Sequence, residues 1–108
     1  MTRAVGYTDS MFSGSITTSG NTQSTPVKCR YVREAIFFLD ITAITGNLDV
    51  EIYTYDSISE NWHLLATFDT KTATGQDEGY IQYSLGEQLS ITYTTTGTAT
   101  FSLNVHLK

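Results

Sequence analysis

The sequence predicts an all-β fold: a single antiparallel β-sandwich, jelly-roll-like or Ig-like, with an extended N-terminal arm. Apolar residues recur at every second position through several runs, the period of strands with one buried face. Turn residues separate those runs, and no segment of useful length repeats at the helical period. Composition agrees, with Thr the commonest residue, 7 Tyr, 5 Phe and a single Pro, which favours strands and disfavours long helices.

At 108 residues the chain suits one domain with a core of its own. A formal charge of −5 argues against nucleic acid or an anionic membrane as the main partner. Cys29, the one cysteine, has no intramolecular disulfide partner, which points to a reducing compartment. The start of the chain lacks an apolar leader-like run, and no stretch approaches a membrane span. A soluble, acidic protein is expected.

Residues 1–26 are rich in Gly, Ser, Thr, Asn and Gln, with short apolar beads at Val5, Tyr7, Met11, Phe12 and Ile16. They read either as a ragged N-terminus with one or two edge strands or as an arm that leaves the domain and packs on a neighbour through Met11 and Phe12. The sandwich domain is then 27–108. Lys28, Arg30 and Arg33 form its basic cluster, either a guarded strand edge or a contact to an acidic partner surface.

The centre is 35–55. Ala35, Phe37, Leu39, Ile41 and Ala43 alternate with polar or exposed positions, and Leu48, Val50 and Ile52 alternate with Asp49, Glu51 and Tyr53. Paired as a hairpin through Gly46-Asn47, a glycine-first pair suited to a type II′ turn, Ala43 faces Val50, Ile41 faces Ile52 and Leu39 faces Thr54. The outward side then brings Phe38 opposite Tyr55 and Asp40 opposite Tyr53. In 62–68, Trp62, Leu64, Ala66 and Phe68 form the larger apolar set and are placed inward. Residues 70–77 read as a loop and 79–85 as a strand with Ile81, Tyr83 and Leu85 inward. Two final strands, 88–94 and 98–107, join as a hairpin through Thr95-Thr96-Gly97, with Gly97 in the left-handed position of a bulged turn. Tyr93 would oppose Ala99, and Ile91 would oppose Phe101.

Catalytic and metal chemistry find no motif. His63 and His106 lie far apart with a single cysteine, no calcium-loop spacing occurs, and there is neither a nucleophile elbow nor a phosphate loop. No enzyme, cofactor or metal is expected. The Phe38, Tyr53 and Tyr55 group has three readings: a face covered by another strand, a subunit interface, or a sugar-stacking platform assisted by Trp62.

The run Ile36-Phe37-Phe38-Leu39-Asp40-Ile41-Thr42-Ala43-Ile44-Thr45-Gly46, with Leu48-Asp49-Val50-Glu51-Ile52, Tyr55-Asp56 and Trp62 to Phe68, resembles small proteins encoded in tailed-phage and prophage structural gene clusters. The ending Gly86 to Tyr93, then Gly97 and Phe101 to Val105, fits the same pattern, so the resemblance covers about 33–108. It implies a non-enzymatic virion structural protein, above all a capsid decoration (cement) protein on the outside of the head. A head–tail accessory protein, or a carbohydrate-binding module of a tail or spike, is the alternative. The implied partners are the major capsid protein or other virion subunits and further copies of itself, a trimer by analogy. The implied location is the virion, assembled in the host cytoplasm. Residues Met11, Phe12, Lys28, Arg30, Arg33, Phe38, Tyr53 and Tyr55 are the candidate interface, with neither nucleic acid nor membrane as partner.

Overall fold

The computed structural model describes residues 7–29, 32–81 and 85–108. Two antiparallel sheets pack face to face. The strands are β1 (Tyr7–Ile16), β2 (Gly20–Asn21), β3 (Val27–Lys28), β4 (Ala35–Thr45), β5 (Leu48–Asp56), β6 (Asn61–Thr67), β7 (Gly75–Ile81), β8 (Gln88–Thr95) and β9 (Thr98–Leu107). Sheet A has the order β1-β9-β4-β7 and sheet B the order β2-β8-β5-β6, with β3 also pairing with β8. Apart from the β2–β3 link and the β5–β6 hairpin, every connection crosses from one sheet to the other. That is a jelly roll.

Alternation does what it promised for the buried face. Phe37, Leu39 and Ile41 from β4, Val50 and Ile52 from β5, Leu89 and Ile91 from β8, and Phe101, Leu103 and Val105 from β9 are all essentially solvent-free. Their burial, worth about 1.5–3 kcal/mol for each large side chain, is the main term holding the sheets together.

Pairing is where the two expected hairpins fail. β4 and β5 lie in opposite sheets, β4 beside β9 and β7, β5 beside β8 and β6. Leu39 lies between Leu103 and Asp77, and Ile52 between Ile91 and Ala66. Likewise β8 and β9 are not paired with each other, so Tyr93 does not oppose Ala99. Both connections are arches across the core, and the arches lie side by side. The Thr96 N–H donates to the Asn47 carbonyl at 3.2 Å, and the Asn47 N–H donates to the Thr96 hydroxyl at 2.9 Å. The Thr98 N–H donates to the Thr45 hydroxyl at 3.0 Å. Each arch thus satisfies backbone groups that the other would leave bare. Arching also lets the apolar sides of β4 and β5 cover each other, which a flat hairpin would leave to a third layer. Gly46 keeps the positive φ (74°) expected of its turn. Gly97 does not take the left-handed conformation; it is required by space, because a Cβ there would lie 2.2 Å from the Thr45 carbonyl oxygen.

Three further differences follow from bulges and edges. A register shift between Ile41 and Ala43 turns Ala43 out to solvent. Another between Ile52 and Tyr53 skips Leu65, so Leu64 and Trp62 stand outward with Tyr53 and Tyr55, while Ala66 and Phe68 stay inward. β7 begins at Gly75, inside the expected loop, and ends at Ile81; Leu85 is buried beyond it, and Tyr83 lies outside the described residues.

From Tyr7 onward the N-terminal segment belongs to the sandwich. β1 pairs with β9 along its length, Met11 is buried, and the Phe12 ring stacks on Phe101 at 4.6 Å. Of the two readings of this segment, the edge strand is the one observed, and Met11 and Phe12 are core contacts, not an exposed anchor.

Candidate functional site

The molecule is plate-like, with extents of about 47, 34 and 20 Å, and each of the two sheets has an outer face. The sheet edges are poor contact sites. β1 turns the carboxylate of Asp9 toward the core side, opposite Val105, and bulges at Met11. β6 carries His63 on its core side opposite Thr54 and bulges at Leu65. β7 places Asp77 opposite Leu39, clasped by Lys71. β2 and β3 are two residues each, and Pro26 precedes β3. Inward charges, bulges, short strands and proline are the devices that stop a sheet growing at its edge.

On the outer face of sheet B, Tyr55 opposes Trp62 and Tyr53 opposes Leu64. The Tyr55 and Trp62 rings are 5.1 Å apart and tilted by 53°, within the range of attractive aromatic pairs. Leu64 is 54% exposed. Glu51 and Asp49 continue the same side of β5, Asp49 accepting from the Thr70 hydroxyl. On the other flank Ser90 opposes Tyr53, fully buried, its hydroxyl without a partner. At the near end, the Asp56 carboxylate caps the β5–β6 turn, accepting from the Ser59 hydroxyl at 2.8 Å and the Ile58 N–H at 3.0 Å. Those two bonds, the Ser59 one first, lower its pKa.

The outer face of sheet A carries a second group. Ile36 lies between Tyr80 and His106, Phe38 between Glu78 and Asn104, and Asp40 between Gln76 and Ser102. Phe38 is 40% exposed and Tyr80 54%. His106 Nδ1 is 3.0 Å from the Thr8 hydroxyl.

Phe38 is therefore not on one surface with Tyr53 and Tyr55, as the hairpin register had implied; the core separates them. Leu64, Ile36 and Tyr80 are outer-face residues that the register hid, and Trp62, named as an aid to the aromatic group but placed inward, stands on the outer face as well; a wrong partner strand assigns the wrong outward neighbours. Lys28 sits exposed on β3 at the edge of sheet B, and its carbonyl accepts from the Tyr7 hydroxyl at 2.8 Å. Burial is the first cause of the raised Tyr7 pKa. Arg33 is exposed just before β4, its N–H donating to the Lys108 carbonyl at 3.2 Å; Arg30 lies outside the described residues.

Among the described residues no three His, Cys, Asp or Glu side chains converge as a metal site. Cys29 is buried, and burial pushes its thiol up to about 11, away from the thiolate that a nucleophile needs. No helix of the described residues is long and apolar enough to cross a membrane.

No family model matches the chain, and no curated protein does. Among solved structures it is similar to PirA, seen in a crystal structure, at 9% identity over 100% of this chain and 97% of that one, with a TM-score of 0.43.

Proposed function

We propose that this chain is a non-enzymatic structural subunit of a tailed-phage particle, a decoration protein that binds the outside of the head as a homo-oligomer. The phage assignment rests on the sequence resemblance. The observation that carries the mode of action is the pair of apolar groups, Ile36, Phe38 and Tyr80 on one broad face and Tyr53, Tyr55, Trp62 and Leu64 on the other. With its edges guarded, the plate makes contacts through faces, and two such faces let one copy join two neighbours at once. Tyr, Trp and Phe are the side chains enriched at subunit interfaces. A cement protein requires nothing more than that: static contacts across a seam between capsid subunits.

The test is cosedimentation with empty expanded capsids, using Phe38→Ser with Tyr80→Ser on one face and Tyr55→Ser with Trp62→Ser on the other. The wild type pellets with heads, and each pair of changes removes either attachment or self-association. Full binding by both variants would contradict the reading.

A second reading is favoured by the Tyr55–Trp62 pair: a carbohydrate-binding module whose aromatic platform stacks on sugar rings. Saturable binding on a glycan array, lost with Tyr55→Ala, would select it.

A further inference from the structure

The outer face of sheet A carries a feature that its apolar group alone does not explain. Beside the Phe38 ring lies an open groove of about 250 Å³ lined by Phe38, Asp40, Gln76, Glu78, Ser102 and Asn104. Asp40 opposes Gln76, and Glu78 is two residues further along β7. The two residues are therefore diagonal neighbours on one face, their backbone positions roughly 7–8 Å apart by strand geometry. Neither forms an ion pair with a described residue; the ion pairs among the described residues are Lys71–Asp77 and Lys108–Glu34. Around them stand the Gln76 and Asn104 side-chain amides and the Ser102 hydroxyl, each of which carries an acceptor.

We propose that this groove receives an arginine side chain from a protein partner. The inference deepens the decoration reading and rests on it for the partner's origin, while the chemistry follows from the groove alone. A guanidinium is flat, carries five N–H donors in a fixed fork, and is weakly hydrated. Lying on the Phe38 face, it gains the cation–π attraction while its two edges donate to Asp40 and Glu78. A lysine ammonium is compact and fully hydrated, and from the same position it reaches one carboxylate at a time. Two uncompensated carboxylates also repel phosphate and acidic segments, so the charge of the groove selects a basic occupant.

The direct test uses the full chain, isotope-labelled, titrated with the peptide Gly-Arg-Gly-Arg-Gly and followed by amide shifts. Saturable shifts centred on Phe38, Asp40, Glu78 and Asn104 are expected, with several-fold weaker binding of the matching lysine peptide. Asp40→Asn with Glu78→Gln keeps size and removes charge, and should weaken binding about tenfold or more, a change of at least about 1.4 kcal/mol. Phe38→Leu keeps the apolar contact but removes the ring face, and should weaken it several-fold. Asp49→Asn with Glu51→Gln on the opposite face should change nothing. Shifts centred on Asp49 and Glu51, undiminished binding by the Asp40/Glu78 variant, or the absence of saturable binding would each overturn the proposal. The titration needs no phage particle, so its failure and the failure of capsid attachment are read separately.

Discussion

A Cβ on Gly97 would lie 2.2 Å from the Thr45 carbonyl oxygen, and backbone cannot yield as a flexible side-chain tip can. Gly97→Ala should therefore destabilise the fold by about 1–3 kcal/mol, the range of overpacked sites, read as a lower urea midpoint with an unchanged slope. The opposite outcome is expected at Ser90. Its buried hydroxyl lacks a partner, so desolvation of that group is uncompensated, and Ser90→Ala should leave stability unchanged or raise it. Core truncation behaves differently again. Leu39→Ala and Phe101→Ala should each cost about 2–5 kcal/mol, while Thr92→Ala on the outer face of sheet B and Ser102→Ala on that of sheet A should cost far less. Equal losses at both kinds of site in chemical denaturation would contradict the face assignment.

At the scale of elements, the segment after β6 holds the open top of the sandwich. The Leu48 N–H donates to the Lys71 carbonyl at 2.9 Å, the Lys71 N–H returns a bond at 2.8 Å, and the Phe68 N–H donates to Val50 at 3.0 Å. The Lys71 ammonium clasps the Asp77 carboxylate, and that bond, followed by the Glu78 N–H, holds Asp77 below its ordinary pKa. A lowered carboxylate pKa supplies stabilisation that is complete above the unfolded value and is lost as pH falls through the folded one. Hydrogen exchange at Leu48 and Lys71 should thus lose protection as pH drops below about 4, before the β4–β9 ladder does; simultaneous loss in both places would show that the clasp contributes nothing local. This top also shows how far the sequence could be read. Parity in β4, β5, β8 and β9 correctly named the buried side of each strand except at the bulges. It did not name the neighbour, because an arch and a hairpin impose the same inward alternation and the same turn glycines. The decision lies in pairings such as Ala35 with Leu107 and Leu48 with Thr95, which no local pattern encodes. The outward neighbours of each aromatic depend on those pairings, so Tyr53 and Tyr55 were legible as outward-facing aromatics, half-buried in the fold, while their separation from Phe38 was not.

At the scale of the molecule, a thin plate with guarded edges and an apolar group on each broad face is suited to being held between neighbours. Its function, on the reading proposed above, is geometric: to occupy a surface and tie subunits across it. Such a protein stabilises its target by binding the assembled state in preference to the dissociated one, and the gain grows with the free concentration relative to the dissociation constant. The most direct measurement is a heat-stability scan of empty expanded capsids with and without saturating wild-type protein, with the pelleted fraction assayed in parallel. The account predicts that the protein pellets with heads at a fixed stoichiometry and raises the temperature at which they disrupt. Heads that disrupt at the same temperature, with the protein left in the supernatant, would contradict it.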